Sequence, residues 1–361
     1  MKSVARGLII ALLATAFWAF VFESFARVYI AYAGDPLDRA RLVLEPNERY
    51  MWRVRPDFSG NFEGAKLTTE AHGFRHVDEM ADWIMLGPSS AFGWGVEESE
   101  TYFARAAKTE SVKYANLSQI GYGLSQGQRL FEDFRSEWRS RPLTVFVSYG
   151  VNDVDRFRFF GPSGTSDEDA FSDPKLPDRL AAEYWLYRAA FPALLMRRLQ
   201  EATFKFGCPP SKAFAMRTTN DEFVVGMTKL ISALVSDGHR AVILNSPFRY
   251  PFEVQNKLAE KADEEFAKSA NEAEAGRCQE ARVHFAQGRV AEPHRVALAI
   301  KALNERLEIE SARRGWTLVD IAKPLTSSSD FVDPIHFSKS GHEKVESAIR
   351  EGIHHTGRHR P

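Results

Sequence analysis

Short apolar runs alternate with amphipathic stretches from about residue 80 to the end of the chain, and this alternation constrains the fold more than any other feature. The runs are rich in β-branched and aromatic residues and predict strands at Trp83–Leu86, Tyr114–Leu117, Leu143–Tyr149, Ala241–Asn245 and Thr317–Ile321. Strands that alternate with helices are typical of a parallel sheet. The sequence therefore predicts an α/β fold in which the carboxyl ends of the strands lie along one edge.

Three of the intervening helices have recognisable ends. A capping-box pattern at Ser125-Gln126-Gly127-Gln128 precedes apolar residues at helical spacing. Thr219-Asn220-Asp221-Glu222 opens a second helix, which Gly238 ends. Ser340-Gly341-His342-Glu343 caps a last helix that runs to about Ile353. These helices are the covering layers that a parallel sheet requires.

Three further stretches do not fit a minimal alternation. Residues 36–80 contain prolines, glycines and short extended runs, and predict an irregular β-rich lead-in. Residues 155–218 begin with a loop and continue in a helix from about Leu180 to Phe204. We therefore expect a main domain at residues 81–353 that carries insertions, and a frayed tail at residues 354–361.

The second insertion, residues 252–314, is rich in alanine and glutamate and predicts helices that break near Gly276 and near Pro293. Its small residues are spaced as in one tetratricopeptide-type helical hairpin. A single copy of such a hairpin cannot bury its own apolar face. We expect it to pack on the α/β core, with docking of a peptide or protein partner as the alternative.

The N-terminus contains the chain's one long apolar run. Uncharged residues extend from Gly7 to Phe22 after Lys2 and Arg6, and a helix of this length spans about 24 Å at ~1.5 Å per residue. The hydrocarbon layer of a bilayer is ~30 Å thick, so the run fits a short membrane anchor or a long signal-peptide core. Since basic residues precede the run, the rest of the chain is expected outside the cytoplasm.

A cleavage site is conceivable at Ala31-Tyr32-Ala33, but it lies well beyond the apolar run, with Glu23 and Arg27 in between. Cleavage regions are normally short and uncharged, so residues 1–35 are interpreted as an uncleaved signal anchor. The alternatives are a secreted protein with a cleaved signal, and a buried core helix.

Composition excludes several classes of protein. The 47 basic and 48 acidic residues give a formal net charge of −1, whereas broad binding of nucleic acid needs a basic face. Cys208 and Cys278 cannot form a disulfide framework or a four-thiolate zinc site, although an exported protein could pair them. His72 and His76 lack a carboxylate that would complete a set of metal ligands. We predict no metal and no cofactor.

Polar residues that could take part in catalysis follow three of the predicted strands. Ser89 lies on a glycine-flanked turn after the first strand, Asn152 follows the third, and Asp333 and His336 follow the last. Each signal alone is weak, because serines in turns, Asx turns and Asp–His pairs are often structural. Together, however, they place a nucleophile, an oxyanion donor and a base with its orienting carboxylate on one sheet edge.

In this arrangement the chain resembles the SGNH/GDSL hydrolases. Four segments match the family's blocks in order: Gly87-Pro88-Ser89 with Ala91-Phe92-Gly93-Trp94-Gly95-Val96, Asn116-Leu117-Ser118 with Gly121-Tyr122-Gly123, Gly150-Val151-Asn152-Asp153, and Asp333-Pro334-Ile335-His336. The resemblance implies a three-layer α/β/α sandwich with a central parallel, flavodoxin-like sheet. It also implies a serine esterase or an acyl-transferring relative.

The same resemblance implies roles for individual residues. Ser89 would be the nucleophile, His336 the general base and Asp333 the residue that orients it. The oxyanion would be held by the backbone N–H groups of Ser89 and Ser118 and by the side chain of Asn152. Two residues depart from the family pattern: Pro88 replaces an aspartate, and Ser118 stands where the family has glycine, so that a positive φ there would be strained.

A cluster of phenylalanines follows the third block. Phe157, Phe159 and Phe160 are expected to line a substrate pocket, or else to pack beneath the following loop. The function expected is hydrolysis of a glycan- or lipid-linked acyl ester outside the cytoplasm. O-acyl transfer to an extracellular polysaccharide and a non-catalytic surface binding or scaffold protein are the alternatives.

Overall fold

The structure is a computed structural model, and it describes residues 2–34, 36–139, 141–162, 164–187, 189–209, 215–249 and 253–357. The N-terminal third of the chain is composed of short elements after one long helix. In chain order they are α1 (Lys2–Ala33), α2 (Pro36–Val43), β1 (Leu44–Asn47), β2 (Met51–Val54), β3 (Ser59–Phe62), β4 (Ala65–Thr68), β5 (His76–Val77), β6 (Trp83–Leu86), α3 (Ser89–Phe92), α4 (Tyr102–Thr109) and β7 (Tyr114–Asn116).

The rest of the chain alternates longer helices with three strands. These elements are α5 (Leu124–Trp138), β8 (Thr144–Val147), α6 (Asp167–Ser172), α7 (Leu176–Tyr187), α8 (Ala190–Phe206), α9 (Asn220–Ser236), β9 (Arg240–Leu244), α10 (Asn256–Glu274), α11 (Cys278–Arg314), β10 (Thr317–Val319) and α12 (Lys339–Gly357). All five predicted strands are present. Four of the predicted carboxyl ends, at Leu117, Tyr149, Asn245 and Ile321, extend one or two residues too far.

One six-stranded sheet organises the fold, with the strand order β10-β9-β8-β6-β7-β5. Strands β6 to β10 are parallel, and only β5 pairs antiparallel, at the edge beside β7. Counted along the chain, the parallel strands follow the order 2-1-3-4-5, which is the flavodoxin-like order. The predicted parallel, flavodoxin-like sheet is confirmed.

Alternate residues of each strand face opposite layers of helices. In β6, Trp83 and Met85 pack with α4 and α12, whereas Ile84 and Leu86 face α5, α9 and α11. Successive side chains of a strand point to opposite faces, so a sheet covered on both sides must be apolar at every position. All four residues of β6 are buried, and the predicted three-layer sandwich is confirmed.

Residues 36–80 contain two antiparallel hairpins, β1–β2 and β3–β4, as well as the short helix α2. The second strand of the first hairpin packs against the sheet domain. The Val54 N–H on β2 donates to Gln119 Oε1, in the loop after β7, at 2.7 Å, and Gln126 Nε2 on α5 donates to the carbonyl of Tyr50, just before β2, at 2.7 Å. The lead-in is therefore joined to the sheet domain by buried hydrogen bonds as well as by apolar packing.

Two predicted helix starts are shifted. The Gln126 side chain accepts from the Gly123 N–H at 3.1 Å, so α5 starts at Leu124 and Ser125 is not its cap. Ser338, not Ser340, accepts the N–H of Gly341 at the start of α12. The third predicted start is confirmed, because Thr219 and Glu222 form a capping box at the start of α9.

Both insertions differ in part from the prediction. The single helix expected from about Leu180 to Phe204 is two helices, α7 and α8. The break at Gly276 is confirmed, whereas α11 continues through Pro293. A proline inside a helix costs about 3 kcal/mol, but apolar residues of α11 on both sides of Pro293 are buried against α10 and the core, which outweighs that cost. Cys208 and Cys278 form a disulfide between the segment after α8 and the start of α11.

Helix α1 is apolar along most of its length and projects from the domain. Among the described helices it is the one whose length and composition would suit a membrane span. The most apolar part of that span has no buried residues. The alternative of a buried core helix is therefore wrong. Its C-terminal half packs on α8, where Ala26 and Ile30 contact Ala190 and the Glu23 carboxylate accepts the N–H groups of Ala190 and Phe191 at 2.9 and 3.0 Å.

His342 joins α12 to α4 and should make stability depend on pH. It is 1% exposed, its Nδ1 accepts the Tyr102 N–H at 3.1 Å, and burial lowers its pKa to about 3. Between that value and the ordinary pKa of ~6.5, only the unfolded chain binds the proton, so stability falls as pH falls.

We expect the free energy of unfolding, measured by urea titration in detergent, to lose about 1.4 kcal/mol per pH unit from this group between about pH 6 and pH 4. In His342→Asn that dependence should be absent, so that the two stability curves converge at low pH. His72→Asn, at an exposed position, is the control. Parallel curves for wild type and His342→Asn would contradict the assignment.

Candidate active site

Ser89 is the first residue of α3, directly beyond the end of β6. The turn between them is tight: a Cβ added at Gly87 would lie 2.6 Å from the Ala91 Cβ and 3.2 Å from the Ser148 carbonyl oxygen. Pro88 is extended and caps the short helix, so the substitution of the family's aspartate leaves the turn intact. The strand and the turn together fix the position of Ser89, a residue that is 4% exposed.

The His336 ring bridges the Ser89 hydroxyl and the Asp333 carboxylate. Its Nε2 lies 2.7 Å from Ser89 Oγ, and its Nδ1 lies 2.6 Å from Asp333 Oδ2. The other carboxylate oxygen, Asp333 Oδ1, accepts the backbone N–H groups of Ile335 and His336 at 2.9 and 2.8 Å. Ser89 and His336 are 247 residues apart in sequence, yet together with Asp333 they form one continuous chain of hydrogen bonds.

Burial alone would raise the pKa of Asp333, but hydrogen bonds reverse the effect. The bond from the His336 ring and the two backbone N–H bonds favour the carboxylate, and the pKa of Asp333 lies below its ordinary value. An ionised Asp333 holds the proton of His336 on Nδ1. Nε2 is then unprotonated and can accept a proton from the Ser89 hydroxyl.

Trp94 contributes to the site although its role was not predicted. Its indole stacks on the His336 ring with 4.4 Å between centroids and an interplanar angle of 10°. The stacking restricts rotation of the imidazole and covers one of its faces with apolar surface. Its place in the Ala91–Val96 segment, close to Ser89, could have indicated a role in the site. Nothing in the sequence indicates which ring it contacts.

Asn152 follows β8 and lies on the same edge of the sheet. Its Nδ2 donates to the Tyr122 carbonyl at 2.9 Å, and the side chain lines the cleft beside Ser89. An asparagine amide has two N–H groups. One fixes the side chain to the loop after β7, and the second has no acceptor among the described residues.

Ser118, predicted as an oxyanion donor, does not line the cleft that contains Ser89 and Asn152. Ser118 is fully buried, and its N–H donates to Asn116 Oδ1 at 3.2 Å. It is also not among the described non-glycine residues with positive φ, so the expected strain does not arise.

Gly121, three residues further on, is the backbone group that reaches the cleft. It lines the same cavity as Ser89 and has a φ of +78°. A side chain here would be strained, and its Cβ would lie 2.6 Å from the Phe159 ring. The Gly121 N–H meets no acceptor among the described residues. The signal that could have identified it was the glycine itself, the residue type suited to such a conformation.

A cleft of about 280 Å³ opens at these residues. Its wall is largely apolar and is built from all parts of the chain: Leu37, Trp94, Ile120, Val151, Phe157, Phe159, Val296 and Ile335. Asp155 adds a carboxylate whose pKa is raised by burial. Apart from Ser89, Asn152, Asp333, His336 and Asp155, the described wall therefore favours an apolar group.

The phenylalanine cluster divides between the cleft and the core. Phe157 and Phe159 lie on the cleft wall, as expected, with their rings edge to face at 5.0 Å. Phe160 does not, because it points into the core with 2% of its surface exposed. The two rings therefore separate at a bend in the chain, one on the cleft wall and one in the core.

Several solved structures resemble this chain. A lipolytic protein of the G-D-S-L family from Veillonella parvula DSM 2008 is 12% identical over 74% of this chain and 96% of its own, with a TM-score of 0.41. A GDSL-like lipase from Bacteroides thetaiotaomicron VPI-5482 is 13% identical over 78% and 91%, with a TM-score of 0.40. A lipase/acylhydrolase from Enterococcus faecalis is 16% identical over 77% and 97%, with a TM-score of 0.37.

Neither a protein-family model nor a curated protein matches the sequence. The fold is the one that the resemblance to SGNH/GDSL hydrolases implied, as its own strand order shows. Similarity at these identities and TM-scores says nothing about the activity or substrate of this chain. Both have to be inferred from its own residues.

The geometry predicts that Ser89 is reactive toward electrophiles that form an adduct with activated serines. We expect the full-length protein in detergent to be labelled by a fluorophosphonate, because His336 can accept the proton of Ser89 Oγ. Ser89→Ala should abolish the label and His336→Ala should slow labelling about 100-fold or more. Mass spectrometry of the labelled peptide identifies the site.

The adjacent serine provides a matched control. Ser90 belongs to the same short helix, and Ser90→Ala should keep the rate of labelling of the wild type. Labelling that survives in Ser89→Ala, or folded wild-type protein that remains unlabelled, would contradict the assigned nucleophile.

Proposed function

We propose that this protein is an SGNH-type serine hydrolase that cleaves an ester outside the cytoplasm. The observation that carries the proposal is the continuous hydrogen-bond chain from Asp333 through His336 to Ser89, in a cleft lined by further donors. A nucleophile, a base and the group that orients the base are the minimal set for acyl transfer through a covalent intermediate.

In the first half of the proposed reaction, Ser89 Oγ attacks the ester carbonyl carbon while His336 Nε2 takes the hydroxyl proton. The tetrahedral intermediate collapses when the imidazolium returns that proton to the leaving alcohol, which leaves an acyl group on Ser89. Asp333 stays ionised and stabilises the imidazolium. The stacked Trp94 ring supports the same charge, since aromatic faces attract cations.

Negative charge develops on the carbonyl oxygen in this step, and three donors are available for it. They are the N–H groups of Ser89 and Gly121 and the second amide N–H of Asn152, and all three residues line the cleft. Fixed donors aimed at a developing oxyanion are commonly the largest single contribution to catalysis. Gly121 thus replaces Ser118 in the set that the sequence implied.

In the second half, His336 activates a water molecule that hydrolyses the acyl-enzyme. An acceptor hydroxyl in place of water would give O-acyl transfer, with the same residues. The apolar wall formed by Phe157 and Phe159 supports binding of the acyl group on this side. We propose a glycan- or lipid-linked acyl ester as the substrate.

Turnover of aryl esters tests this function. We expect full-length protein in detergent to hydrolyse p-nitrophenyl esters, and Asn152→Ala to lower kcat about 100- to 1000-fold through loss of an oxyanion donor. Ser118→Ala is the matched control, since the Ser118 hydroxyl is buried without a partner among the described residues, and should stay within about twofold of wild type.

The products distinguish the rival functions. Free acid as the product supports hydrolysis, and acyl groups recovered on an added polysaccharide identify transfer. If the folded wild type neither turns over esters nor reacts with a fluorophosphonate, the result would support the alternative of a non-catalytic surface protein. Equal loss of activity in Asn152→Ala and Ser118→Ala would contradict the assigned donors.

We further propose that α1 is an uncleaved membrane anchor and that the hydrolase domain lies on the extracytoplasmic side. The packing of Ala26 and Ile30 on α8 supports retention of α1, because cleavage after Ala33 would expose that contact surface. The hydrogen bonds from α8 to Glu23 would be lost as well. The Cys208–Cys278 disulfide supports an oxidising compartment.

Mass spectrometry of the mature protein tests the anchor. We expect residues before Gly34 to be present, and the protein to stay in the membrane fraction after washing with alkaline carbonate and to need detergent for release. Accessibility of the C-terminus to protease in spheroplasts, compared with a cytoplasmic marker protein, reports the side of the membrane. A mature N-terminus at Gly34 would contradict the proposal and identify a secreted protein.

A further inference from the structure

The peptide bond between Ile120 and Gly121 decides where the Gly121 N–H points. In a trans peptide, the C=O of one residue and the N–H of the next lie in one plane and point in opposite directions. No cis peptide occurs among the described residues. Any group that fixes the direction of the Ile120 carbonyl therefore also fixes the direction of the Gly121 N–H.

Trp52 is that group. Its indole Nε1–H, on strand β2, donates to the Ile120 carbonyl oxygen at 2.8 Å, and the Trp52 side chain is fully buried. The carbonyl thus points toward the lead-in, and the Gly121 N–H points the opposite way. Because Gly121 lines the cleft and its N–H meets no described acceptor, that direction is toward the proposed oxyanion site.

Trp52 is itself held rigidly on several sides. The Tyr122 and Phe159 rings meet its indole edge to face at 6.1 and 5.9 Å, and Tyr122 Oη donates to its carbonyl at 2.7 Å. The Arg217 guanidinium lies 5.5 Å from the centre of the indole ring. An indole with no freedom to rotate can transmit a defined direction to the peptide that it binds.

Arg217 holds the other side of Gly121. Its Nη1 donates to the Gly121 carbonyl at 2.8 Å, and its own backbone N–H donates to the Asp155 carbonyl at 3.0 Å, in the loop that carries Asn152. The two peptides that flank Gly121 are thus bound separately, one by Trp52 and one by Arg217. Rotation of Gly121 about φ and ψ, which glycine otherwise permits freely, is blocked at both ends.

We propose that Trp52 is a positioning residue for the oxyanion hole, acting through its indole N–H on the Ile120–Gly121 peptide. The inference rests on the proposed function and adds a role for the lead-in, residues 36–80, in the chemistry of the sheet domain. Packing alone would need only the ring of Trp52. Positioning needs the N–H as well, and this difference can be measured.

Trp52→Phe removes the N–H and keeps an aromatic ring. We expect kcat for an aryl ester to fall about tenfold with KM within about twofold, because the N–H acts on the transition state and not on the ground state. Affinity for an alkyl trifluoromethyl ketone, whose adduct with Ser89 carries an oxyanion, should fall by the same factor. Affinity for an aryl ether analogue of the ester, which has no carbonyl oxygen, should stay unchanged.

Trp138→Phe is the matched control. Trp138 is a buried tryptophan of α5 that packs on Phe131 at 5.8 Å, away from the cleft. It should show a similar change in melting temperature and unchanged kcat. Trp52→Phe with kcat equal to that of Trp138→Phe would overturn the proposal, as would a fall in kcat with unchanged affinity for the ketone.

The amide chemical shift of Gly121 tests the same claim without turnover. In protein labelled with ¹⁵N-glycine, the Gly121 resonance should shift in Trp52→Phe but not in Trp138→Phe. An unchanged Gly121 amide would overturn the proposal even in an active enzyme. If the wild type cleaves no ester, the proposed function fails. A Gly121 amide resonance that still changes in Trp52→Phe would then show that Trp52 positions this peptide without a catalytic role.

Discussion

Strand β6 lies between β7 and β8, and the site depends on this arrangement. The chain leaves β6 to form β7 on one side and later β8 on the other, so the loops that follow these strands diverge above the end of β6. Parallel sheets bind ligands in the crevice that such a reversal of strand order creates. Ser89 lies at the floor of this crevice, with Gly121 and Asn152 on its two flanks.

The two flanking loops would be poorly defined without the buried charges behind them. Asp153 Oδ1 accepts the Leu124 N–H at 2.7 Å, and burial raises the pKa of Asp153 to about 7. Asp167 is fully buried between Arg158 and Arg217, with N–O distances of 2.7 and 3.1 Å. Removing one member of such a network leaves an uncompensated buried charge, which is strongly destabilising. The network therefore fixes one arrangement of the loops more than it adds to net stability.

Much of the fold and the centre of the site could be predicted from local patterns. Buried parallel strands are apolar at every position, and β6 is recognisable from four consecutive residues. Ser89, Asn152, Asp333 and His336 were identifiable because parallel topology brings strand ends together, whatever their separation in sequence. The contact between Ser89 and His336 also requires the loop after β10 to reach across β9 and β8, which no local pattern predicts.

The errors arose where a tertiary contact decides the outcome. Whether Ser118 or Gly121 carries the cleft-facing N–H depends on how the loop after β7 turns. The contacts that hold this loop come from Trp52 on β2 and from Arg217 in the loop before α9, both distant in sequence. Pro293 was expected to end a helix, but packing on both sides of it continues α11. Phe160 faces the core and Phe159 the cleft, because the chain bends at these residues. No local pattern encodes these contacts.

The hydrogen bonds between Glu23 and the first residues of α8 have a practical consequence. A shortened chain that starts near Pro36 would leave the amides of Ala190 and Phe191 without their carboxylate and uncover Ala190 to water. Recombinant material trimmed for solubility should therefore begin close to Phe22, where the polar contacts of α1 start. The last three turns of α1 pack on α8 and belong to the folded domain. The segment that can be removed therefore ends earlier in the sequence than hydropathy suggests.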